Sequence, residues 1–175
     1  MKLKKTVYLC GFMGCGKSTL GFYASKKLSL PIVDSDYIVA KKEKQTITEI
    51  FASKGEEYFR NAETRVIRSL SFQSPRVVSL GGGAVLREKN VKFMKRRGLI
   101  VFIDTPFDVI FERVKRNDRR PLAASLDYNG LYELYEKRKD LYLSAADVIL
   151  CPKDTVRDTY EEFIRLLKGK NAIEE

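Results

Sequence analysis

One run near the start of the chain, Gly11-Phe-Met-Gly-Cys-Gly-Lys17-Ser18-Thr19, constrains the fold more than any other stretch. It reads G-x-x-x-x-G-K-[ST] and lies between the β-rich run Thr6–Cys10 and an amphipathic segment. Such a loop needs a strand to deliver it and a helix to begin at its end. Its glycines let successive backbone N–H groups curl around one anion, and the helix N-terminus adds positive potential. Lys17 can then reach the β- and γ-phosphates of a nucleotide, and the Ser18 hydroxyl can ligate Mg²⁺. Gly14, Cys15, Gly16, Lys17, Ser18 and Thr19 are therefore the expected phosphate-binding residues. GTPases, motor ATPases and small-molecule kinases all use this loop. The chain has no N-K-x-D guanine-reading sequence, and its 175 residues are few for a motor.

Four further β-rich runs follow, at residues 31–33, 76–80, 99–104 and 147–150. They hold few polar residues, as strands covered on both faces do. Amphipathic stretches separate them. In residues 155–167, Val156, Tyr160, Phe163, Ile164 and Leu167 recur at helical spacing. This alternation predicts an α/β fold with a parallel sheet and helices on both faces, so that ligands bind at the carboxyl ends of the strands. No repeat or linker interrupts the chain, which reads as one domain over residues 1–175. No apolar run approaches the ~20 residues needed to span a bilayer, and the apolar lead into Gly11 is short for a secretory signal. A cytoplasmic protein with no membrane partner is expected. Three cysteines and no histidine argue against a disulfide scaffold or a zinc site. The net charge of +10 favours anionic partners. The basic residues are dispersed and no strip of aromatics accompanies them, which argues against nucleic acid.

The polar residues just after each strand carry the remaining chemistry. The run at 76–80 ends in Gly81-Gly82-Gly83 rather than in the usual aspartate, so another carboxylate must help organise the metal. Asp34-Ser35-Asp36 is nearest. If the strand continues, Asp34 and Asp36 point the same way, one near the metal and the other toward an acceptor hydroxyl. The competing reading has Ser35 or Asp36 capping a helix from Tyr37. Across residues 55–72, Phe59, Ala62, Val66 and Leu70 form an apolar face that also holds Glu63, beside Arg60. Across residues 127–143, Leu131, Leu134, Leu141 and Tyr142 form a face on which Arg138 falls. Core-facing charges need partners. Either these residues pair internally, or Arg60 and Arg138 clasp a carboxylate on the ligand while Glu63 steadies Arg60. The glycine triplet reads as a substrate-lining loop. Residues 113–124, polar across 115–119 and with Pro121 limiting helix continuation before it, read as a mobile lid. Cys15 is open to two readings: a thiol activated by the loop's positive potential, or a small residue that fits the turn.

Taken with Ile50-Phe51, the run from Gly55 to Arg60 and Arg120-Pro121-Leu122, these pieces resemble the shikimate kinase family over nearly the whole chain. The resemblance implies a three-layer α/β/α P-loop kinase of the nucleoside-monophosphate-kinase type, with a five-stranded parallel sheet ordered 2-3-1-4-5. It implies transfer of a phosphoryl group from ATP, with Mg²⁺, to the 3-hydroxyl of shikimate on the route to chorismate and aromatic amino acids. Shikimate and ATP are then the partners; a monomer is expected. The acceptor region covers about 34–63. Asp36 would contact the shikimate hydroxyls, and Arg60, Gly82 and Arg138 its carboxylate end. Gly81, Gly83 and Glu63 complete the acceptor site. Lys17 and Arg120 would stabilise the transferring group, Ser18 would hold Mg²⁺ directly and Asp34 through water. Arg113 would pack near adenine, with residues 151–154 bordering the base. A gluconate kinase would share the phosphate loop but need not carry both arginines, and a nucleic-acid-dependent ATPase would account for the charge alone.

Overall fold

The computed structural model describes residues 1–116 and 127–174. Two short strands, β1 (Lys2–Leu3) and β7 (Ile173–Glu174), pair antiparallel. The main sheet holds β2 (Thr6–Cys10), β3 (Ile32–Asp34), β4 (Val77–Ser79), β5 (Gly98–Ile103) and β6 (Val148–Leu150), in the order β3-β4-β2-β5-β6. Every pairing is parallel, with Leu9 opposite both Ser79 and Val101. Counting these five strands in chain order gives 2-3-1-4-5, as expected. Central strand β2 is buried at all five residues, which is why its sequence lacks alternation.

Parallel strands require crossovers, and helices supply them. Helix α1 (Lys17–Leu28) follows β2, and α2 (Ser35–Glu43) follows β3 directly. Then come α3 (Ile47–Ser71), α4 (Glu88–Arg97), α5 (Phe107–Lys115), α6 (Tyr128–Ala145) and α7 (Val156–Gly169). Helices α1 and α7 pack together against one face of the sheet, while α3, α4 and α6 cover the other. Along α7, Tyr160, Phe163, Ile164 and Leu167 are buried, and Thr155 caps the helix through the Asp158 N–H. Its first residue, Val156, is exposed. No helix among the described residues is long and apolar enough to cross a membrane.

Three local expectations are corrected. The cap of α2 is Asp34, whose Oδ1 accepts from the Tyr37 N–H at 3.0 Å; neither Ser35 nor Asp36 caps it. The helix therefore starts one residue after the strand, and Asp34 and Asp36 do not share a strand face. Helix α3 begins at Ile47 rather than at 55, and it is broken at Gly55, whose φ of 80° and ψ of 170° are not helical. On α6, Leu141 is 43% exposed; the buried stripe runs Leu131, Tyr135, Tyr142 and Ala145.

Candidate active site

Two clusters meet at the carboxyl edge of the sheet. The first is the phosphate loop between β2 and α1. Gly11, Gly14 and Gly16 all have positive φ, and Gly16 serves as the α1 N-cap at φ 104°. These conformations turn the backbone inward at little cost only for glycine. Lys17 Nζ donates to the carbonyls of Gly11 (2.8 Å) and Phe12 (2.9 Å) and lies 3.5 Å from Cys15 Sγ. The lysine is thus folded back on its own loop, where an anion would draw it outward. Buried Thr105 donates to the Cys15 carbonyl at 2.8 Å and ties the loop to the segment after β5.

Cys15 is 1% exposed, with its sulfur tucked beneath Gly11. That position lacks the access an activated thiol needs and fits the reading of a small residue in a tight turn. Cys10 is buried in β2, and burial pushes its thiol up to about 12. A cavity of about 670 Å³ opens beside the loop, lined by Gly14 to Leu20, Arg113, Pro152, Lys153, Asp154 and Thr155. Arg113 donates to the Gly14 carbonyl at 3.2 Å. Cys151 is exposed and does not line this cavity. Thr155 and Thr159 do, and were not singled out in the sequence because they look like ordinary helix-capping residues.

Ser18 and the second oxygen of Asp34 make no hydrogen bond among the described residues. Both are hard oxygen donors, and the described residues hold no cluster of three His, Cys, Asp or Glu side chains. That donor set fits Mg²⁺, which binds few protein oxygens and takes the rest of its shell from phosphate and water.

The second cluster surrounds Gly81-Gly82-Gly83, whose two outer glycines make room for charged side chains. A Cβ at Gly81 would overlap Asp36 and Glu63, and one at Gly83 would overlap the Arg60 guanidinium. A Cβ at Gly82 would lie 3.7 Å from the Tyr142 hydroxyl and 3.9 Å from Arg138 Nη1. The Ser35 hydroxyl accepts from the Gly81 N–H at 2.9 Å and binds α2 to the turn. The N–H groups of Gly82 and Gly83 have no acceptor among the described residues.

Arg60 Nη1 pairs with Glu63 Oε2 at 3.0 Å, while Nε and Nη2 both hold Glu56 Oε1 at 3.2 Å. A guanidinium has five N–H donors, so one remains on each terminal nitrogen, a fork suited to a carboxylate. Glu63 is fully buried. Burial raises its carboxyl to about 7, with Arg60 opposing that rise and Asp36 reinforcing it. Its Oε1 has no hydrogen-bond partner among the described residues. Asp36 Oδ1 and Glu63 Oε1 converge on the space over Gly81.

The structure thus groups Asp36, Arg60, Glu63, Gly81, Gly82, Gly83 and Arg138 in one place, and Gly14 to Thr19 with Arg113 in another. Asp34 sits at the end of β3. Arg120 and the lid beyond Arg116 lie outside the described residues. Two further members were missed. Tyr142, read as a core residue, donates to the Gly82 carbonyl at 2.6 Å. Arg87 bridges to Glu57 at 2.6 Å and to Asn61 at 2.7 Å, steadying α3 beside Arg60.

The sequence model of the shikimate kinase family matches residues 13–168. A shikimate kinase from Aquifex aeolicus is 40% identical over 167 residues, covering 95% of this chain and 98% of that one. One from Persephonella marina is 42% identical over 141 residues, covering 81% and 85%. Among solved structures, a shikimate kinase from Acinetobacter baumannii in complex with shikimate superposes with a TM-score of 0.87 at 31% identity, covering 95% of this chain and 94% of that one. The Aquifex aeolicus enzyme superposes at 0.83 with 39% identity, covering 95% and 98%. Sheet order, phosphate loop, glycine turn and full-length similarity agree: the chain belongs to the shikimate kinase family.

Proposed function

We propose that this protein transfers the γ-phosphoryl group of ATP to the 3-hydroxyl of shikimate, and that the residues grouped above perform that transfer. The observation that carries the acceptor assignment is the turn at Gly82–Gly83. Two backbone N–H groups with no acceptor among the described residues, the Arg60 guanidinium against Gly83 and Arg138 Nη1 beside Gly82 lie together there, a set of donors that suits one carboxylate. Asp36, across the turn from that space, accepts the hydroxyl proton and orients the oxygen for attack. Lys17 leaves the carbonyls of Gly11 and Phe12 to follow the transferring charge, and Arg120 is assigned to the same charge. Ser18, with Asp34 through water, would hold Mg²⁺, which when bound neutralises phosphate charge. Arg113 and the 152–155 segment frame the nucleoside. The need for ATP supports a cytoplasmic location.

The test is ADP release with shikimate, gluconate or RNA as acceptor. Stimulation by shikimate alone is the expected result, and stimulation by gluconate or RNA alone would overturn the assignment. Asp36→Asn should keep ATP affinity and lose about two or more orders of magnitude in kcat. Near-normal turnover would remove Asp36 from the reaction.

A further inference from the structure

Three glycines in a row allow close approach, but they also leave the backbone free to rotate. A site that relies on the N–H groups of Gly82 and Gly83 needs something to hold those peptides still. Within this turn the Gly81 carbonyl accepts from the Ala84 N–H at 3.0 Å, and the Gly81 N–H is held by Ser35. Neither bond fixes which way the Gly82–Gly83 peptide faces: the first closes a turn around it, and type I and type II turns differ by a flip of that central peptide.

Tyr142 does. Its hydroxyl donates to the Gly82 carbonyl at 2.6 Å, a short bond for two neutral groups. The ring is 1% exposed and stacks on Phe102, with centroids 5.4 Å apart and planes 17° apart. Phe102 belongs to buried strand β5, so the ring that carries the hydroxyl is packed on the core of the sheet. The peptide is trans. In a trans peptide the carbonyl of one residue and the N–H of the next point in opposite directions. Fixing the Gly82 carbonyl on Tyr142 therefore turns the Gly83 N–H away from the core. Gly83 is the residue against which the Arg60 guanidinium lies. Arg138, one helical turn before Tyr142 on α6, faces the same phenol oxygen and lies beside Gly82.

We propose that Tyr142 is a positioning residue for carboxylate recognition: its hydroxyl sets the Gly82–Gly83 peptide so that a backbone N–H joins Arg60 and Arg138 at the anion. The inference rests on the shikimate reading given above. It differs from a merely structural role, in which the phenol is buried for packing and the carbonyl simply satisfies it.

Tyr142→Phe keeps the ring and its stacking and removes the hydroxyl alone. Losing one such bond, with freedom restored to the peptide, should raise the KM for shikimate about tenfold. The KM for ATP should stay unchanged, and kcat should stay within about threefold. For an acceptor in which the carboxylate is replaced by a hydroxymethyl group, wild type and variant should be alike. Phe102→Leu provides the second variant: it loosens the ring and lowers the melting temperature but keeps the hydroxyl, so its shikimate KM should rise about two- to threefold, less than in Tyr142→Phe, with the KM for ATP unchanged. A normal shikimate KM in Tyr142→Phe overturns the inference. So does an equal loss with both acceptors, or a KM rise in Phe102→Leu as large as that in Tyr142→Phe. If Tyr142→Phe does not fold, Phe102→Leu decides the matter: a rise in shikimate KM alone supports the inference, and an unchanged shikimate KM overturns it. A wild type that neither binds nor phosphorylates shikimate overturns the functional reading, and this inference with it.

Discussion

Glu63 has no exposed surface, yet it carries an ionisable group with one oxygen on Arg60 and the other on nothing among the described residues. Burial is the larger influence, and it raises the carboxyl from an ordinary 4.5 to about 7. The sign of the consequence follows from linkage. Below pH 4.5 the group is protonated in both folded and unfolded chains and contributes nothing. Between 4.5 and 7 the unfolded chain releases the proton while the folded one keeps it, so stability falls as pH rises. Above 7 the penalty is complete. Glu63→Gln removes the titration and keeps a side chain of similar shape. The stability of wild type relative to Glu63→Gln should therefore fall by roughly 2–3 kcal/mol between pH 5 and pH 8. Urea unfolding of both proteins at the two pH values measures it, and a constant difference would show that Glu63 titrates as an ordinary carboxylate.

The turn between β4 and α4 shows how one short element sets a site. Gly83 has φ −102° and ψ 0°, which any residue can adopt, so its glycine is not required by the backbone. It is required by Arg60, whose guanidinium occupies the place of the missing side chain. Gly83→Ala should consequently fold with nearly normal stability while Arg60, a long and flexible side chain, swings aside. We expect the shikimate KM to rise by about one to two orders of magnitude, as when a desolvated charge pair is broken. A drop in melting temperature with an unchanged KM would mean that the alanine is accommodated by backbone movement instead. The same turn marks the limit of what the sequence discloses. The phosphate loop and the five strands are legible because each rests on a local rule: glycine spacing before Lys17, or an apolar run such as Thr6–Cys10. Asp36 is legible as a carboxylate just beyond a strand, and Arg60, Glu63 and Arg138 because charge on an apolar face is costly and so draws notice. The cap of α2 was misplaced because β3 passes into the helix with no intervening loop, leaving Asp34 to serve both elements. Tyr142 was hidden for a different reason. Its ring obeys the apolar periodicity of α6, and nothing in that pattern reports where the hydroxyl at its tip ends up.

At the scale of the whole molecule, the formal charge of +10 is not spread to equal effect. On the outer helix surfaces many basic residues face a carboxylate one turn away, as in Lys92–Glu88, Arg116–Glu112, Arg157–Glu161 and Arg165–Glu162. Exposed pairs of this kind contribute little to stability and largely cancel each other's field. The carboxyl edge of the sheet differs: Lys17 and Arg113 lie on backbone carbonyls, and Arg138 faces a neutral phenol. Lys17 and Arg113 border the cavity beside the phosphate loop, and Arg138 lies at the glycine turn. Both proposed substrates are anions, so these three cations add attraction where the substrates enter. Added salt should then act on capture rather than on the fold or the bound complex. Raising NaCl from ~20 to ~500 mM, which shortens the Debye length from roughly 20 Å to about 4 Å, should lower kcat/KM for both ATP and shikimate severalfold. The kcat should change less than about twofold, because contacts between bound substrates and desolvated side chains are screened far less than the approach through solvent. Sucrose at matched osmolarity should reproduce none of the loss. A kcat/KM that does not respond to salt, or a parallel fall in kcat and melting temperature, would place the excess charge on the surface at large and deny it a part in drawing substrates to the site.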